Sequence, residues 1–581
     1  MPPHHSQARH LGGDHMGWFG GHLTRPSTAH VPLGARLLWR KPLLWSVGTP
    51  VRLAKGCGGR RLAVFGPCGA ADAELARLVD TTDISTLDTA ATAWSGAYTL
   101  VLDDGHGAQL IWSDPIGACP LYSTRISGAT VWASSSLALA RLRGARPDTT
   151  WLAAHLVDPA GWTPGHSAWT DVEQIPPGHR LLARPGVASD TTPYWRRPVL
   201  AWHEAVHRLR EDLAGAVSSR INGQAVSSDL SGGLDSSTFA ALAAGHGPVI
   251  AVTYHPKGTA TGGDVDHART VARAFPSIRH EFMALGTEHL PFSALDTLPL
   301  TDEPAPSAIT IAQLTSQMAM LAGHGARVHL TGDGGDTLFM QPPVHLADLA
   351  RSGHLLRMAR DAQTWARLYR TSPWPALAAA WTNPQALADG ASRPPWLTNR
   401  AGALAAEATQ PYRDVLTLGH ADTRLLTEAR YVARTAATEN QVAAEQGIAM
   451  HNPFTDPRVV QTVLATDPAR RWSARRYKPL LSDAVTGLLP PQVVDRGAKG
   501  TFAVDHHHGL RANEARVLDL VDGHLAGLGL IRPGTVRSLL RQALLGVDIP
   551  WGRIEPLLGT ELWLRAADTA TSQVRWEVHA A

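Results

Sequence analysis

The stretch Ser231-Gly232-Gly233-Leu234-Asp235-Ser236-Ser237 decides how the second half of this 581-residue chain is expected to fold. It follows an apolar run from Ala225 to Leu230 and precedes small residues that continue as a helix, so it occupies a strand–loop–helix unit. Glycines let a backbone approach phosphate oxygens, while hydroxyl groups and a helix N-terminus donate hydrogen bonds to them. The pattern therefore predicts a site for the phosphates of a nucleotide.

The same loop also indicates which phosphate bond is broken. It does not end in Lys-Ser or Lys-Thr, so the pattern of proteins that cleave the γ-phosphate is absent. Strand, loop and helix together resemble the PP-loop of the ATP pyrophosphatase families, which cleave ATP between the α and β phosphates. The chemistry implied is adenylation. A Gly/Ser-rich turn without function is the alternative, and the placement between strand and helix argues against it.

Length and composition set outer limits on the function. A chain of 581 residues is too long for one core and should form at least two domains. With 44% apolar and 18% charged residues it is typical of a soluble globular protein. The formal charge of +3 is small and the basic residues are scattered, so nucleic acid is not the leading partner. No apolar run is long enough to span a bilayer and no leader pattern follows Met1, which predicts a cytoplasmic protein without a membrane partner.

The three cysteines give no sign of a metal site. Cys57, Cys68 and Cys119 stand at no spacing typical of zinc ligands, and an odd number cannot pair evenly. Reduced thiols in a cytosolic chain are the simplest expectation.

The first half alternates and turns like an antiparallel β-sheet. Gly96 to Leu102 and Gln109 to Trp112 flank the turn Asp103-Asp104-Gly105, which predicts a hairpin. A second pair, Pro120 to Ser123 and Thr130 to Ser134, flanks a Ser-Gly turn. This half is therefore expected to be mostly antiparallel β.

Beyond Tyr194 the pattern changes to helices that alternate with short apolar strands. Apolar residues from Trp202 to Ile221 recur at helical spacing and predict one amphipathic helix. Four strands are predicted, at Ala225 to Leu230, Val249 to Tyr254, His280 to Leu285 and Val328 to Thr331. Alternating strands and helices favour a parallel, doubly wound sheet that binds ligands at the carboxyl ends of its strands.

The last third is predicted to be largely helical. His345 to Arg370 carries a rough apolar stripe that includes Leu356, with several arginines around it. An ordinary helix pair with a solvated basic face is favoured there over a surface that guides a peptide. Trp374 to Trp396 is rich in Pro, Trp and Ala, which is typical of a loop or linker.

Three segments together resemble one family. The Ser231 loop, Leu330 to Phe339 and Asn452 to Asp456 occur in the order and approximate spacing found in the synthetase domain of asparagine synthetases. Earlier in the chain, Trp112 to Gly117 and Pro120 to Tyr122 look like the class II glutamine amidotransferase domain that precedes it.

The resemblance implies a fold class and domain limits. Residues 1–197 would form an α+β domain of antiparallel sheets with helices, similar to a degenerate class II glutamine amidotransferase. Residues 198–581 would form an α/β doubly wound ATP pyrophosphatase domain like that of the asparagine synthetases, with a helical insertion at about 342–430. Glutamine hydrolysis in the family needs a cysteine directly after the initiator methionine, where this chain has Pro2. Another amine is therefore expected as the nucleophile.

Two offshoots of the family use such an amine: β-lactam or carbapenam synthetases and the macrolactam synthetases that cyclise lasso peptides. The present chain is more similar to the second, in its insertion after Phe339, its Gln363 to Arg370 segment, Pro394 to Leu397 and Ala498 to Phe502. The Glu-x-Arg usual in asparagine synthetases is Ala449-Met450-His451 here, which weakens an aspartate-binding interpretation.

The resemblance implies an ATP- and Mg²⁺-dependent enzyme that adenylates an Asp or Glu side chain of a precursor peptide, whose own N-terminal amine then displaces AMP. A leader peptidase and a leader-recognition protein of the same pathway would be its partners. The alternatives are a β-lactam or carbapenam-type synthetase, an ammonia-dependent asparagine synthetase, and an inactive scaffold in a biosynthetic complex.

The resemblance also assigns residues to roles. Asp235 and Asp336 match the family's two metal aspartates. Lys499 is preferred over Lys478 as the lysine that stabilises the transition states, because Lys478 matches a lysine at a helix start in the relatives. The positions expected to bind ATP or pyrophosphate are Leu230, Ser231, Gly232, Gly233, Asp235, Ser236, Ser237, Val252, Thr331 and Gly332.

The base that deprotonates the attacking amine is expected to be a carboxylate pair. Asp333 stands where β-lactam synthetases have a catalytic tyrosine, and the partner glutamate falls near Glu439. Burial that raised the pKa of one carboxyl would let it accept the proton. An ordinary helix-surface acid is the alternative for Glu439.

Overall fold

An antiparallel β half is followed by a parallel α/β half, as the sequence predicted. The computed structural model describes residues 17–23, 28–184, 187–258, 261–388, 393–409, 418–471, 473, 476–496, 503–570 and 574–580. Within these ranges no helix is both long enough and apolar enough to cross a bilayer.

Two six-stranded antiparallel sheets form most of the first half, and one further strand, Thr28–Pro32, pairs instead with the strand Trp576–Ala580 near the end of the chain. The described strand orders of the two sheets are β11-β9-β10-β1-β4-β3 and β13-β12-β8-β7-β6-β5. The strands are β1 (Trp18–His22), β2 (Thr28–Pro32), β3 (Arg36–Arg40), β4 (Leu43–Val47), β5 (Val51–Lys55), β6 (Arg61–Phe65), β7 (Thr99–Asp103), β8 (Gln109–Trp112), β9 (Tyr122–Ile126), β10 (Ala129–Ala133), β11 (Glu173–Gln174), β12 (His179–Arg184) and β13 (Val187–Pro193). The helices are α1 (Asp72–Val79), α2 (Ile84–Ala90), α3 (Ser136–Arg143) and α4 (Thr149–Val157).

Alternation along the strands explains how these layers pack. In β7, Val101 faces a core that contains residues of both sheets, such as Phe19 and Ile111. Its neighbours Leu100 and Leu102 belong to a second core shared with α1 and α2. Since successive side chains of a strand point to opposite faces, an apolar strand can fill both cores. Both predicted hairpins are confirmed, because β7 pairs with β8 and β9 with β10.

The second half is built around a parallel sheet with described order β16-β15-β14-β17-β18. Its elements are α5 (Trp202–Ile221), β14 (Val226–Asp229), α6 (Leu234–Ala244), β15 (Val249–Pro256), α7 (Gly263–Ala274), β16 (Ile278–Leu285), α8 (Ile311–Gly323), β17 (Val328–Leu330), α9 (Gly335–Phe339), α10 (His345–Arg351), α11 (Leu355–Leu368), α12 (Pro373–Thr382), α13 (Asn399–Ala408), α14 (His420–Ala444), β18 (Ala449–His451), α15 (Pro457–Leu464), α16 (Pro468–Arg471), α17 (Pro479–Val485), α18 (Pro491–Val494), α19 (Ala503–Ala512), α20 (Glu514–Leu520), α21 (His524–Gly527), α22 (Pro533–Leu544), α23 (Trp551–Thr569) and β19 (Trp576–Ala580). Short 3₁₀ helices lie at Cys57–Gly59, Thr287–His289, Leu295–Thr297, Pro306–Thr310, Pro384–Leu387 and Pro453–Thr455.

The order of this sheet makes β14 a topological switch point. The chain continues from β14 to β15 and β16 on one side and later adds β17 and β18 on the other. Helices cover both faces, as two separate cores show, so the predicted doubly wound α/β fold is confirmed. Loops that follow the strands on either side of a switch point enclose a crevice where ligands bind. Strand β18 was not predicted, because Ala449 to His451 is too short to give a periodic signal.

Two predictions about the helical insertion were wrong. Residues 374–396 were expected to form a loop, but Pro373–Thr382 is helix α12, whose prolines occupy the first turn, where a backbone N–H is not needed. Leu356 was placed on the apolar stripe, yet it is 91% exposed. Helix α11 instead buries Met358, Ala362 and Ala366, spaced four residues apart.

Buried polar contacts join the two halves. Asp302 accepts hydrogen bonds from Ser135 Oγ at 2.8 Å and Leu137 N at 2.7 Å in the first half, and from Gln441 Nε2 at 2.5 Å in α14. Asp456 likewise accepts from Gly96 N at 2.6 Å. Arg430 and Arg434 of α14 donate to the carbonyls of Pro115 and Pro159, so the N-terminal half also packs directly against the helix that lines the site described next.

Candidate active site

Glycines let the loops after β14 and β17 pack closely against neighbouring helices, α7 and α6 respectively. Gly232 has φ +70°, and a Cβ there would lie 2.5 Å from the backbone nitrogen of Ala268. A Cβ on Gly332 would lie 2.8 Å from the backbone nitrogen of Ser236. Any side chain at either position would force backbone to move, so the two loops need these glycines.

The serines of the first loop hold it in a closed turn. Ser236 Oγ accepts a hydrogen bond from Ser231 N at 3.0 Å and lies 2.9 Å from Ser231 Oγ. Asp235 follows on the first turn of α6. The loop thus presents backbone N–H groups and a helix N-terminus, which suits the phosphates of a nucleotide.

A cavity of about 180 Å³ opens beside this loop. Most residues that the sequence assigned to ATP line it: Leu230, Ser231, Gly233, Asp235, Ser236, Val252 and Gly332. Three do not. Gly232 packs against α7, Ser237 is fully buried, and Thr331 lines a neighbouring cavity. Residues that the sequence did not single out complete the lining, among them Asp229, Asp264, Gln313, Tyr477 and Arg496.

Lys478 lies between the two predicted metal aspartates. Its Nζ is 2.5 Å from Asp235 Oδ2 and 2.7 Å from Asp336 Oδ1, and its side chain is fully buried. A buried ammonium ion needs such partners to offset its lost hydration. The sequence analysis interpreted Lys478 only as a residue at a helix start. Lys478 does precede α17, but it also contacts both aspartates of the site. Lys499, the preferred catalytic lysine, lies outside the described residues.

The carboxylates of Asp235 and Asp336 fit a magnesium site. Both reach one cation, the Lys478 ammonium group, so they converge on one point. The described residues contain no cluster of three or more protein ligands for a metal. Two carboxylates are nevertheless what Mg²⁺ commonly takes from a protein when phosphate oxygens and water complete its shell.

Tyr477 and Arg496 add polar groups to the wall of the first cavity. Tyr477 Oη donates to Asp336 Oδ1 at 3.4 Å, and burial together with the nearby carboxylates raises its pKa, so it stays protonated. Arg496 donates to the carbonyl of Gly232 at 3.1 Å and pairs with Asp264. A guanidinium beside the phosphate loop suits recognition of an anion.

A second cavity, of about 510 Å³, adjoins the first. Asp229, Gln313 and Asp333 line both cavities. The second is otherwise lined by β17, β18 and α14 and by the 3₁₀ helix Pro306–Thr310. A group activated in the first cavity can therefore be reached from the second.

Glu439 faces the second cavity and is not an ordinary helix-surface acid. Its Oε1 accepts from Ser307 N at 2.6 Å and its Oε2 from Ser307 Oγ at 2.5 Å. Burial raises its pKa to about 7, and the charge of Asp333 adds to the rise. The structure thus brings together the carboxylate pair that the sequence proposed, with one member poised to exchange a proton near neutral pH.

Two of the three cysteines are poor nucleophiles. Burial raises the pKa of Cys68 to about 11 and that of Cys119 to about 12, so both are thiols at neutral pH. Cys57 is exposed, and all three are free.

Comparison with known families decides where the second half belongs. The family model described as Asn_synthase, asparagine synthase, matches residues 208–565. This chain belongs to the asparagine synthase family. The matched range contains both cavities and every residue assigned to them above. Membership in the asparagine synthase family indicates an ATP-using enzyme that forms amide bonds.

Other comparisons add little. No curated protein matches. Solved structures with some similarity include "Structure of the allosteric regulatory enzyme of purine biosynthesis", at 13% identity and a TM-score of 0.18 over 40% of this chain and 46% of that one. Another is glutamine phosphoribosylpyrophosphate amidotransferase from B. subtilis complexed with ADP and GMP, at 11% identity and a TM-score of 0.19 over 48% of this chain and 63% of that one. The present chain thus spans less than two thirds of either protein.

Proposed function

We propose that this asparagine synthase family member is a lasso-peptide macrolactam synthetase, which joins a side-chain carboxylate of a precursor peptide to the peptide's own N-terminal amine. The observation that carries the proposal is the junction of two cavities at Asp229, Gln313 and Asp333, with Glu439 on the far wall. One cavity suits the nucleotide. The other is large enough for peptide residues and carries a base of suitable pKa.

In the first step, a carboxylate oxygen of the peptide attacks the α-phosphorus of ATP. The bond between the α-phosphorus and the bridging oxygen breaks, and pyrophosphate leaves with the electron pair. The Ser231 loop and Arg496 line the cavity where negative charge would increase, and Lys478 lies behind Asp235, one of the lining residues. Fixed cations and N–H donors aimed at developing charge are among the largest contributions to catalysis. Mg²⁺ held by Asp235 and Asp336 would supply further neutralisation of phosphate charge.

In the second step, the N-terminal amine attacks the carbonyl carbon of the acyl-adenylate and AMP leaves. The amine must lose a proton, and Glu439 is placed on the second cavity to accept it. A carboxylate with a pKa of about 7 is ionised in part at neutral pH and still basic enough to take the proton. The amide bond replaces the acyl–phosphate bond, so the net products are the ring, AMP and pyrophosphate.

The lining of the second cavity favours a peptide substrate over free aspartate. An enzyme that used free aspartate would need a cation to bind the α-carboxylate of that aspartate. The described lining of the second cavity contains no lysine or arginine. Among its histidines, His451 is neutral, because burial and the nearby Arg220 lower its pKa to about 3. A leader peptidase and a leader-recognition protein complete the proposed pathway.

The proposal is tested by incubating the enzyme with ATP, Mg²⁺ and peptides that carry a free N-terminal amine and one Asp or Glu within the first ten or so residues, a loop short enough to close at modest entropic cost. The expected product has lost one water and resists aminopeptidase. The same peptides with an N-terminal acetyl group serve as controls. If free aspartate with ammonia is converted to asparagine and no peptide is cyclised, the proposal is wrong.

A further inference from the structure

Asp229 occupies a position that the two-step scheme does not use. It is the last residue of β14 and lines both cavities, with 26% of its side chain exposed. Gln317 Nε2 donates to its Oδ1 at 2.9 Å, and His329 Nε2 lies 3.3 Å from the same oxygen. Gln317 and His329 are both buried, so these two contacts fix the orientation of the Asp229 carboxylate.

Only Oδ1 of Asp229 is occupied in this way. Among the described residues, no hydrogen-bond donor lies on Oδ2. The donors that hold Oδ1 are themselves fixed: Ser227 Oγ lies 3.0 Å from His329 Nδ1, and His329 has no exposed surface. One carboxylate oxygen is thus anchored, and the other is available to a ligand at the junction of the cavities.

The charge around this junction favours a cationic ligand. The described lining of the second cavity carries three carboxyl groups, on Asp229, Asp333 and Glu439, and no lysine or arginine. A free α-carboxylate beside the acceptor amine would meet like charge without compensation, whereas the ammonium group would gain charge-assisted hydrogen bonds. The nearest cations on the nucleotide side, Lys478 and Arg496, are already paired with Asp235 and Asp264.

We infer that Asp229 binds the ammonium form of the acceptor amine and makes the site specific for an amine that has no free carboxylate beside it. This rests on the proposed function. An N-terminal residue of a peptide meets the condition, because its carboxyl carbon is in an amide. A free amino acid does not. Asp229 would hold the ammonium group near the acyl-adenylate until Glu439 takes the proton, so Asp229 is a binding and specificity residue and Glu439 the base.

The test compares ligands that differ only in charge. Binding of glycinamide, glycine and N-acetylglycinamide to wild type, Asp229→Asn and Asp229→Glu is followed by saturation-transfer NMR in the presence of a non-hydrolysable ATP analogue. Wild type should bind glycinamide preferentially, and D229N should lose at least about tenfold in glycinamide affinity, the loss expected for one charge-assisted hydrogen bond. D229E should retain part of it. Asp190→Asn, at an exposed position on β13, is the matched control.

A second measurement uses the peptide itself. Wild type should bind the free-amine peptide more tightly than its N-acetylated form, and D229N should bind both equally. The inference would be overturned if the ratio of the two peptide affinities were the same in wild type and D229N. It would also be overturned if the only defect of D229N were a raised KM for ATP, because Asp229 would then be a nucleotide-binding residue. The melting temperature of each variant reports whether it is folded, and Asp229→Ser replaces D229N if D229N does not fold.

The two claims can fail separately. If D229N abolishes glycinamide binding but wild type cyclises no peptide, the ammonium site stands and the proposed function falls. If peptides are cyclised and D229N changes neither the preference for glycinamide nor the preference for the free-amine peptide, the proposed function stands and the ammonium site falls.

Discussion

The ammonium nitrogen of Lys478 lies 2.5 Å from Oδ2 of Asp235, and the lysine side chain is entirely buried. The same nitrogen is 2.7 Å from Asp336 Oδ1, so one cation pairs with both carboxylates.

Replacing Lys478 should impair adenylation strongly. Lys478→Met removes a positive charge beside the phosphate loop and leaves two carboxylates uncompensated, a loss on the order of 3 kcal/mol, or about a hundredfold in rate. Exchange of labelled pyrophosphate into ATP, dependent on peptide, measures this step alone. Lys55→Met, at an exposed position on β5, is the matched control. A K478M enzyme within about threefold of wild type would show that the lysine only fills space.

Glu439→Gln should separate the two half-reactions. The amide cannot accept the proton, so ring closure should fall by about a hundredfold or more, the range of general-base contributions, while pyrophosphate exchange persists. Wild-type ring closure should rise with pH through about 7, because Glu439 must be ionised to act. Glu445→Gln, at the end of the same helix and exposed, should resemble wild type. Loss of both half-reactions in E439Q would instead assign Glu439 to substrate binding.

The raised pKa of Glu439 should also appear in stability. Its folded value of about 7 exceeds the ordinary 4.5, so the folded state binds the proton more tightly and loses stability as pH rises from about 4.5 to 7. E439Q carries no charge at any pH. The difference in unfolding free energy between E439Q and wild type should therefore grow over that window to at most about 3 kcal/mol and then level off. Denaturant titrations at several pH values measure it, and a difference independent of pH would mean that the pKa is not raised.

Motifs of glycines and acids predicted much of the fold and site, because these residues serve local geometry. Gly232 and Gly332 indicate close backbone approach, and Asp235 stands in the same short motif as Gly232. Lys478 could not be recognised in the same way. Its role depends on a fold that brings it to Asp235 from more than two hundred residues away, and by sequence it only precedes a helix.

Asp229 and helix α12 show other limits. Asp229 ends a short strand and by sequence resembles a turn residue. Its position in the site depends on the buried partners Gln317 and His329, which lie on other elements. Helix α12 is rich in Pro and Trp, which indicated a loop, but its prolines lie where a helix tolerates them. The position of the prolines in the first turn, which composition does not reveal, allowed this segment to be a helix.

The insertion provides a test of where the peptide docks. The side chain of Arg360 is 75% exposed, and Arg367 is exposed on the same helix. Reversing both charges, Arg360→Glu with Arg367→Glu, should raise the peptide KM severalfold for an acidic peptide and leave the KM for ATP unchanged. Arg357 and Arg360 both pair with Asp361, but Arg357 differs because it also pairs with Asp467, outside the insertion. Arg357→Glu should therefore lower the melting temperature as well. Unchanged peptide kinetics in the double variant would place the docking surface elsewhere.

The most direct test of the central claim follows the oxygen of the activated carboxylate. A peptide whose Asp or Glu side chain carries oxygen-18 is turned over with ATP, and the nucleotide and phosphate products are analysed by mass spectrometry. Adenylation followed by attack of the N-terminal amine predicts cyclic peptide, unlabelled pyrophosphate and AMP that contains one labelled oxygen. Label in inorganic phosphate, with ADP as the nucleotide product, would contradict the account.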